Sequence, residues 1–137
     1  MENLERAYEF LKKAGYYFLL TSDRGQPRGR AFSSKMIADG RLYLATGLAK
    51  RVWREVRDNA RVELLAFHMK QGEYMRIDAE TVMDDDPTKV KRYLEQEPQV
   101  RGDFTGDAEA QMGMFYLKDA AVEILALDGT VKETFTF

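Results

Sequence analysis

Hydrophobic and polar positions along this chain follow two periods, and each change of period marks an element. Leu4, Tyr8 and Leu11, with Ala7, Phe10 and Ala14 beside them, fall on one broad helical face. Asn3 offers that helix a cap and Gly15 a stop. Tyr16–Ser22 is a compact apolar strand, and Asp23-Arg24-Gly25-Gln26-Pro27 turns the chain. Arg28–Ile37 reads as a strand with a polar, cationic face. The hairpin signal Asp39-Gly40 closes it, and Arg41–Thr46 returns. Val52, Trp53 and Val56 stand at helical spacing within Ala49–Asn59. Two more strands, Arg61–Met69 and Tyr74–Met83, join over Gln71-Gly72. Asp86-Pro87 starts a helix, because an acidic cap suits a proline at the first helical position, and Pro98 ends it. Residues 99–110 read as a Gly/Asp-rich loop. Met114–Leu117, Ala121–Leu127 and, after Asp128-Gly129, Thr130–Phe137 are the last strands. About six to seven strands in close hairpins, with about three helices, predict a mainly β, α+β fold on an antiparallel barrel.

Composition narrows the class. The 137 residues are expected to form one domain, 1–137, and 45% hydrophobic content excludes general disorder. There is no cysteine, which removes disulfide scaffolds, thiolate catalysis and Cys-ligated metals. The opening MENLERAYEF carries acids among its apolar positions, unlike a signal peptide, and no apolar run approaches the roughly 20 residues of a membrane helix. A soluble, cytoplasmic protein without membrane contact is expected. The net charge of −2 is uneven: from Arg24 to Arg61, ten arginines and lysines face three acids, a local balance of +7. That block points to an anionic partner. In a chain of pI about 5.5, a small phosphorylated ligand fits it at least as well as nucleic acid does.

The chemistry concentrates between Arg28 and Arg51. Arg28 and Arg30 share a strand face by the period of two; Ser34 falls on that face too, and Lys35 on the other unless a bulge intervenes. The next strand runs through Thr46-Gly47-Leu48-Ala49-Lys50-Arg51 into a helix. Unsatisfied N–H groups and the positive end of the helix dipole then lie beside a hydroxyl and two cations, which together make a phosphate site. The plain alternative is a solvated basic face with an ordinary Thr cap.

Arg30-Ala-Phe-Ser-Ser-Lys35, the hairpin, Thr46-x-x-x-Lys50-Arg51, Asp58-Asn59-Ala60-Arg61-Val62 and the stretch from Met114 to Ile124 resemble the pyridoxamine 5′-phosphate oxidase-like family in order and spacing. The resemblance covers nearly the whole chain and is that of a short bacterial member. It implies an FMN-binding split β-barrel, working as a homodimer with flavin sites at the interface. It also implies electron or hydride transfer between FMN and an unidentified small molecule. Carried over, Arg30 and Lys35 approach the isoalloxazine and ribityl region, Phe32 and Ser33 present backbone groups along the ring edge, and Thr46, Lys50 and Arg51 bind the phosphate. Full-length oxidases of this family end in an Arg- and His-bearing segment that grips the substrate phosphate. This chain ends Glu133-Thr-Phe-Thr-Phe137 and its only histidine is His68, so vitamin B6 oxidation is not expected. Where many relatives have Asn after the threonine, this chain has Gly47.

No residue stands at a spacing diagnostic of a general acid or base, so no catalytic residue is assigned. His68 reads as structural, with haem ligation as its alternative. Asp84-Asp85-Asp86 reads as helix capping rather than a metal site, and no metal is expected. Trp53 and the seven methionines read as core. Tyr74 and Arg76 share a strand face on which packing and surface roles come first. Two rival functions stay open: a non-enzymatic flavin or haem binder, and a barrel binding single-stranded nucleic acid through Phe32 and Tyr43 as stacking platforms.

Overall fold

Two turns set the first half of the architecture. In the computed structural model, which describes residues 1–137, Arg24 and Gly25 have φ of 52° and 89°, and Asp39 and Gly40 have 51° and 71°. Two successive left-handed residues give the hairpin turn whose twist matches the strands it joins. The first turn joins β1 (Tyr17–Asp23) to β2 (Gln26–Phe32), and the second joins β3 (Met36–Ala38) to β4 (Arg41–Gly47). The helix α1 (Asn3–Ala14) precedes them and α2 (Arg51–Asp58) follows. Then come β5 (Arg61–His68), β6 (Glu73–Met83), α3 (Pro87–Gln96), the single turn α4 (Ala108–Gln111), β7 (Met112–Ala126) and β8 (Val131–Thr136).

The strands form one antiparallel sheet in the order β2-β1-β5-β6-β7-β4-β3, with β8 on the free stretch of β7. The two ends of that path, β2 and β3, are consecutive in sequence. β2 pairs only with β1 and β3 only with β4, so the ring closes through Ser33–Lys35 and not through a ladder. This is a split barrel. Its interior is filled by Leu19, Leu42, Leu44, Leu64, Ile77, Phe115 and Val122, sealed by Leu11 of α1 and Val56 of α2. A second apolar cluster, with Met36, Tyr43, Tyr93 and Met114, lies between the β3–β4 hairpin and α3.

Several boundaries differ from the sequence expectation. The strand expected over Arg28–Ile37 is two, because Ser33–Lys35 leave the ladder: the Tyr17 hydroxyl donates to the Ser34 carbonyl at 2.5 Å, and the Lys35 N–H donates to Glu97 Oε1 at 3.1 Å. Met114–Leu117 and Ala121–Leu127 are one strand, β7. A bulge absorbs Asp119 (φ 52°), and pairing with β6 resumes on both sides. The sheet has eight strands. The loop expected over 99–110 carries a 3-10 turn at Pro98–Asp103 and α4, whose N-terminus Asp107 caps by accepting from Glu109 and Ala110. Asn3 does not cap α1; its amide donates to the Thr136 carbonyl, tying α1 to β8. Asp86 caps α3 as expected, accepting from Thr88 N–H. No helix is long and apolar enough to cross a membrane.

Candidate functional site

The split between β2 and α2 is a groove of about 500 Å³. β2 supplies one wall. Its register with β1 pairs Arg28, Arg30 and Phe32 with Thr21, Leu19 and Tyr17, so those three side chains share the inward face at the barrel's lip. Thr46 at the end of β4 and Lys50, Arg51 and Glu55 of the α2 segment supply the other wall. The groove runs on into a hollow of about 420 Å³ between Phe32–Ser34, Tyr16 and the turn carrying Gln99 and Phe104.

The cations of this groove are not equivalent. Lys50 and Arg51 are exposed and make no ion pair or side-chain hydrogen bond within the chain, and the Thr46 hydroxyl likewise has no internal partner. Lys50 is the N-cap of α2 and no side chain caps that helix, so its first N–H groups lack a side-chain acceptor. Arg28 is 3.7 Å from Asp23 and half exposed. Arg30 is engaged within the chain: it donates to the Leu19 carbonyl at 3.1 Å, to Thr21 Oγ1 at 2.7 Å and to Glu55 Oε1 at 2.6 Å. Thr21 in turn donates to Glu55 at 2.6 Å, closing a three-membered ring. Burial pushes the Glu55 carboxyl upward, but the hydrogen bonds from Thr21 and Arg30 and the guanidinium charge outweigh it and hold the group below the ordinary glutamate range.

Six of the seven residues expected at the site, Arg30, Phe32, Ser33, Thr46, Lys50 and Arg51, line the groove or its extension. Lys35 stands apart. It is buried beneath the floor, where its ammonium donates to the Ser33 carbonyl at 3.0 Å and lies 5.6 Å from the centre of the Tyr8 ring. Burial lowers its pKa. At Gly47 a Cβ would meet the Phe104 ring at 3.3 Å, so an aromatic wall occupies the place of a larger side chain there. Glu55 was missed by the sequence reading, yet a signal existed. Val52, Glu55 and Val56 are the buried residues of α2, and an acid on an apolar stripe needs a buried partner.

Elsewhere, Trp53 is only partly buried and walls a separate pocket of about 490 Å³ with Met83 and Met112. The His68 ring meets Phe10 edge-on at 6.0 Å. Asp84 accepts from the Tyr43 hydroxyl and from Lys89, at 2.8 and 3.0 Å. Tyr43 is fully buried, so it cannot serve as the stacking platform that the nucleic-acid reading needs. Arg76 lies on the outer sheet face, 3.4 Å from Glu63 and 3.6 Å from Glu123.

The family profile of pyridoxamine 5′-phosphate oxidase matches residues 4–120. The chain belongs to this family. Among solved structures it is similar to a NimC/NimA family protein of Clostridium acetobutylicum, with 26% identity, a TM-score of 0.89 and coverage of 100% of this chain and 95% of that one. General Stress Protein 26 of Bacillus anthracis shares the fold at 14% identity, TM-score 0.75, over 100% of both chains. So does a pyridoxamine 5′-phosphate oxidase-related, FMN-binding protein of Nostoc punctiforme, at 14% identity and TM-score 0.69, covering 99% of this chain and 89% of that one. No curated protein matches the sequence.

Proposed function

We propose that this family member binds FMN in the split of its barrel and acts as an oxidoreductase, passing electrons or hydride between the flavin and a small molecule. The observation that carries the reading is the end of the groove. Two unpaired cations, Lys50 and Arg51, stand with the unpartnered Thr46 hydroxyl at the start of α2. A phosphomonoester of charge about −2 is matched there by charge-assisted donors and the helix dipole. The groove and its extension fall within the range of about 300–1,000 Å³ typical of ligand sites. The FMN-binding relative of the same fold supports the choice of cofactor.

Bound FMN would supply the electron-carrying ring. The chain would supply position and charge. Lys50, Arg51 and Thr46 would hold the phosphate, and Arg30 would form the floor. Phe32 and Ser33 would offer backbone groups along the ring, and Lys35 would brace that strip from below through the Ser33 carbonyl. The open side of the hollow, with the exposed Tyr16 at its edge, fits closure by a second copy, which makes the working unit a homodimer of single-domain chains.

Calorimetry with FMN and riboflavin tests the reading. FMN should bind about 10- to 150-fold tighter, the equivalent of roughly 1.5–3 kcal/mol for a lost charge-assisted contact. Equal affinities would remove the phosphate assignment. A visible flavin spectrum reducible by a nicotinamide cofactor separates an enzyme from a binder, and a Soret band would replace flavin by haem.

A further inference from the structure

Glu55 is an anomaly in a basic groove. It is 2% exposed, yet it lines the cavity, and its Oε1 receives both Thr21 and Arg30. Its Oε2 has no hydrogen-bond partner and is not sealed from solvent, so the carboxylate charge is felt in the groove. The pairing ties α2 to β2, the two walls of the split, at 2.6 Å. With Arg30 neutralised by Glu55 and Arg28 turned to Asp23, the cations of the groove left without a partner are Lys50 and Arg51. Two charges match one phosphomonoester and fall short of a pyrophosphate.

We infer that Glu55 is a specificity-determining counter-ion: by holding Arg30 it restricts the groove to ligands with a single phosphate and excludes those with a pyrophosphate. It is a positioning residue, acting on the ligand through Arg30 and through its own field. The inference rests on the reading of the groove as the ligand site, and it makes an unusual demand on mutagenesis, since removing a group from the site should improve binding. Loss of a merely structural residue would not do that.

The test uses Glu55→Gln, which keeps an acceptor for Arg30 while removing the charge, with orthophosphate, pyrophosphate and FMN as probes in calorimetry at fixed ionic strength. Circular dichroism serves as the folding control. Unmasking one charge within a few ångströms of the bound anion should raise pyrophosphate affinity about tenfold and orthophosphate affinity less, so the ratio between them rises. The double variant Arg30→Gln/Glu55→Gln keeps the groove's net charge, so whatever it loses in overall affinity, its pyrophosphate-to-orthophosphate ratio should match that of the unaltered protein. It also carries the test if Glu55→Gln does not fold, because an Arg30 already free to grip a second phosphate would lower that ratio about tenfold on removal. A folded Glu55→Gln whose pyrophosphate affinity is unchanged or lower, or a double variant whose ratio falls tenfold, overturns the inference. FMN binding with an unmoved ratio sinks this inference alone. A rising ratio without FMN binding sinks the flavin reading and upholds the counter-ion. Absence of all binding in both proteins overturns both.

Discussion

At the groove, a buried acid and a half-buried base meet in one ring: Glu55, Arg30 and Thr21 satisfy one another, and the carboxyl stays ionised. On the outer face of β5 and β6 the same ingredients are combined differently. Glu63 stands directly opposite Asp78 across the ladder, and Arg76 is divided between Glu63 and Glu123. There burial and the hydrogen bond to Asp78 push the Glu63 carboxyl up to about 7. The difference teaches what decides the state of a charge at a barrel wall. One base at 2.6 Å keeps an acid charged, whereas a base shared at 3.4–3.6 Å beside a second acid lets it keep its proton up to about pH 7.

The sharpest way to break this contrast is to give the groove the unmatched acid of the outer face. Arg30→Ala leaves Glu55 buried without its cation, and we expect a loss of about 2–4 kcal/mol in urea unfolding, somewhat below a fully buried pair because the groove admits water. Replacing both members with glutamine should recover most of that loss. If Arg30→Ala alone is neutral, the ring does not hold the walls together.

A second measurement separates the paired cation from the unpaired ones. Lys50→Ala removes an exposed side chain with no internal partner, so thermal stability should hardly change. FMN affinity should fall about tenfold, with a shallower salt dependence. The bound potential should stay nearly constant, because the phosphate charge is the same in both redox forms. A stability loss comparable to that of Arg30→Ala would place Lys50 in the framework rather than the site.

These contrasts also mark how far the sequence could be read. Thr46, Lys50 and Arg51 lie within six residues of one another at a strand-to-helix turn, so local pattern was enough to group them. Both hairpins were legible from Asp39-Gly40 and from the Arg24-Gly25 turn, since two-residue turns are encoded locally. Arg30 and Glu55 are 25 residues apart, and nothing local marks their pairing; it exists because the split brings β2 against α2. Lys35, which the resemblance set beside Arg30 at the flavin, lies off the groove lining for a different reason. Alternation carries meaning only inside a ladder, and the ladder stops at Phe32, where the chain peels off to close the barrel. The single strand β7 was hidden by Lys118-Asp119, a turn-like pair that the fold uses as a bulge.

The smallest expected effect, and the most direct check on the outer face, is Glu63→Gln. Glu63 faces Asp78 and Arg76 on β6 and Leu20 on β1, and its side chain is about one-third exposed. Its folded pKa is above its unfolded one. Between about pH 4.5 and pH 7 the unfolded chain has therefore lost a proton that the folded chain retains. The unfolded state then binds fewer protons, so stability falls as pH rises through that window and levels off above about 7. Glutamine keeps the shape, can donate to Asp78 and carries no charge, while Arg76 retains Glu123. At pH 8 the substitution should stabilise the protein by about 1 kcal/mol, a figure held down by the exposure of the site. Near pH 4.5, where Glu63 is protonated in the folded state, it should be close to neutral. Urea denaturation of both proteins at the two pH values decides it. An equal difference at both would mean that Glu63 is charged throughout, and that Arg76 matches the outer face as fully as Arg30 matches the groove.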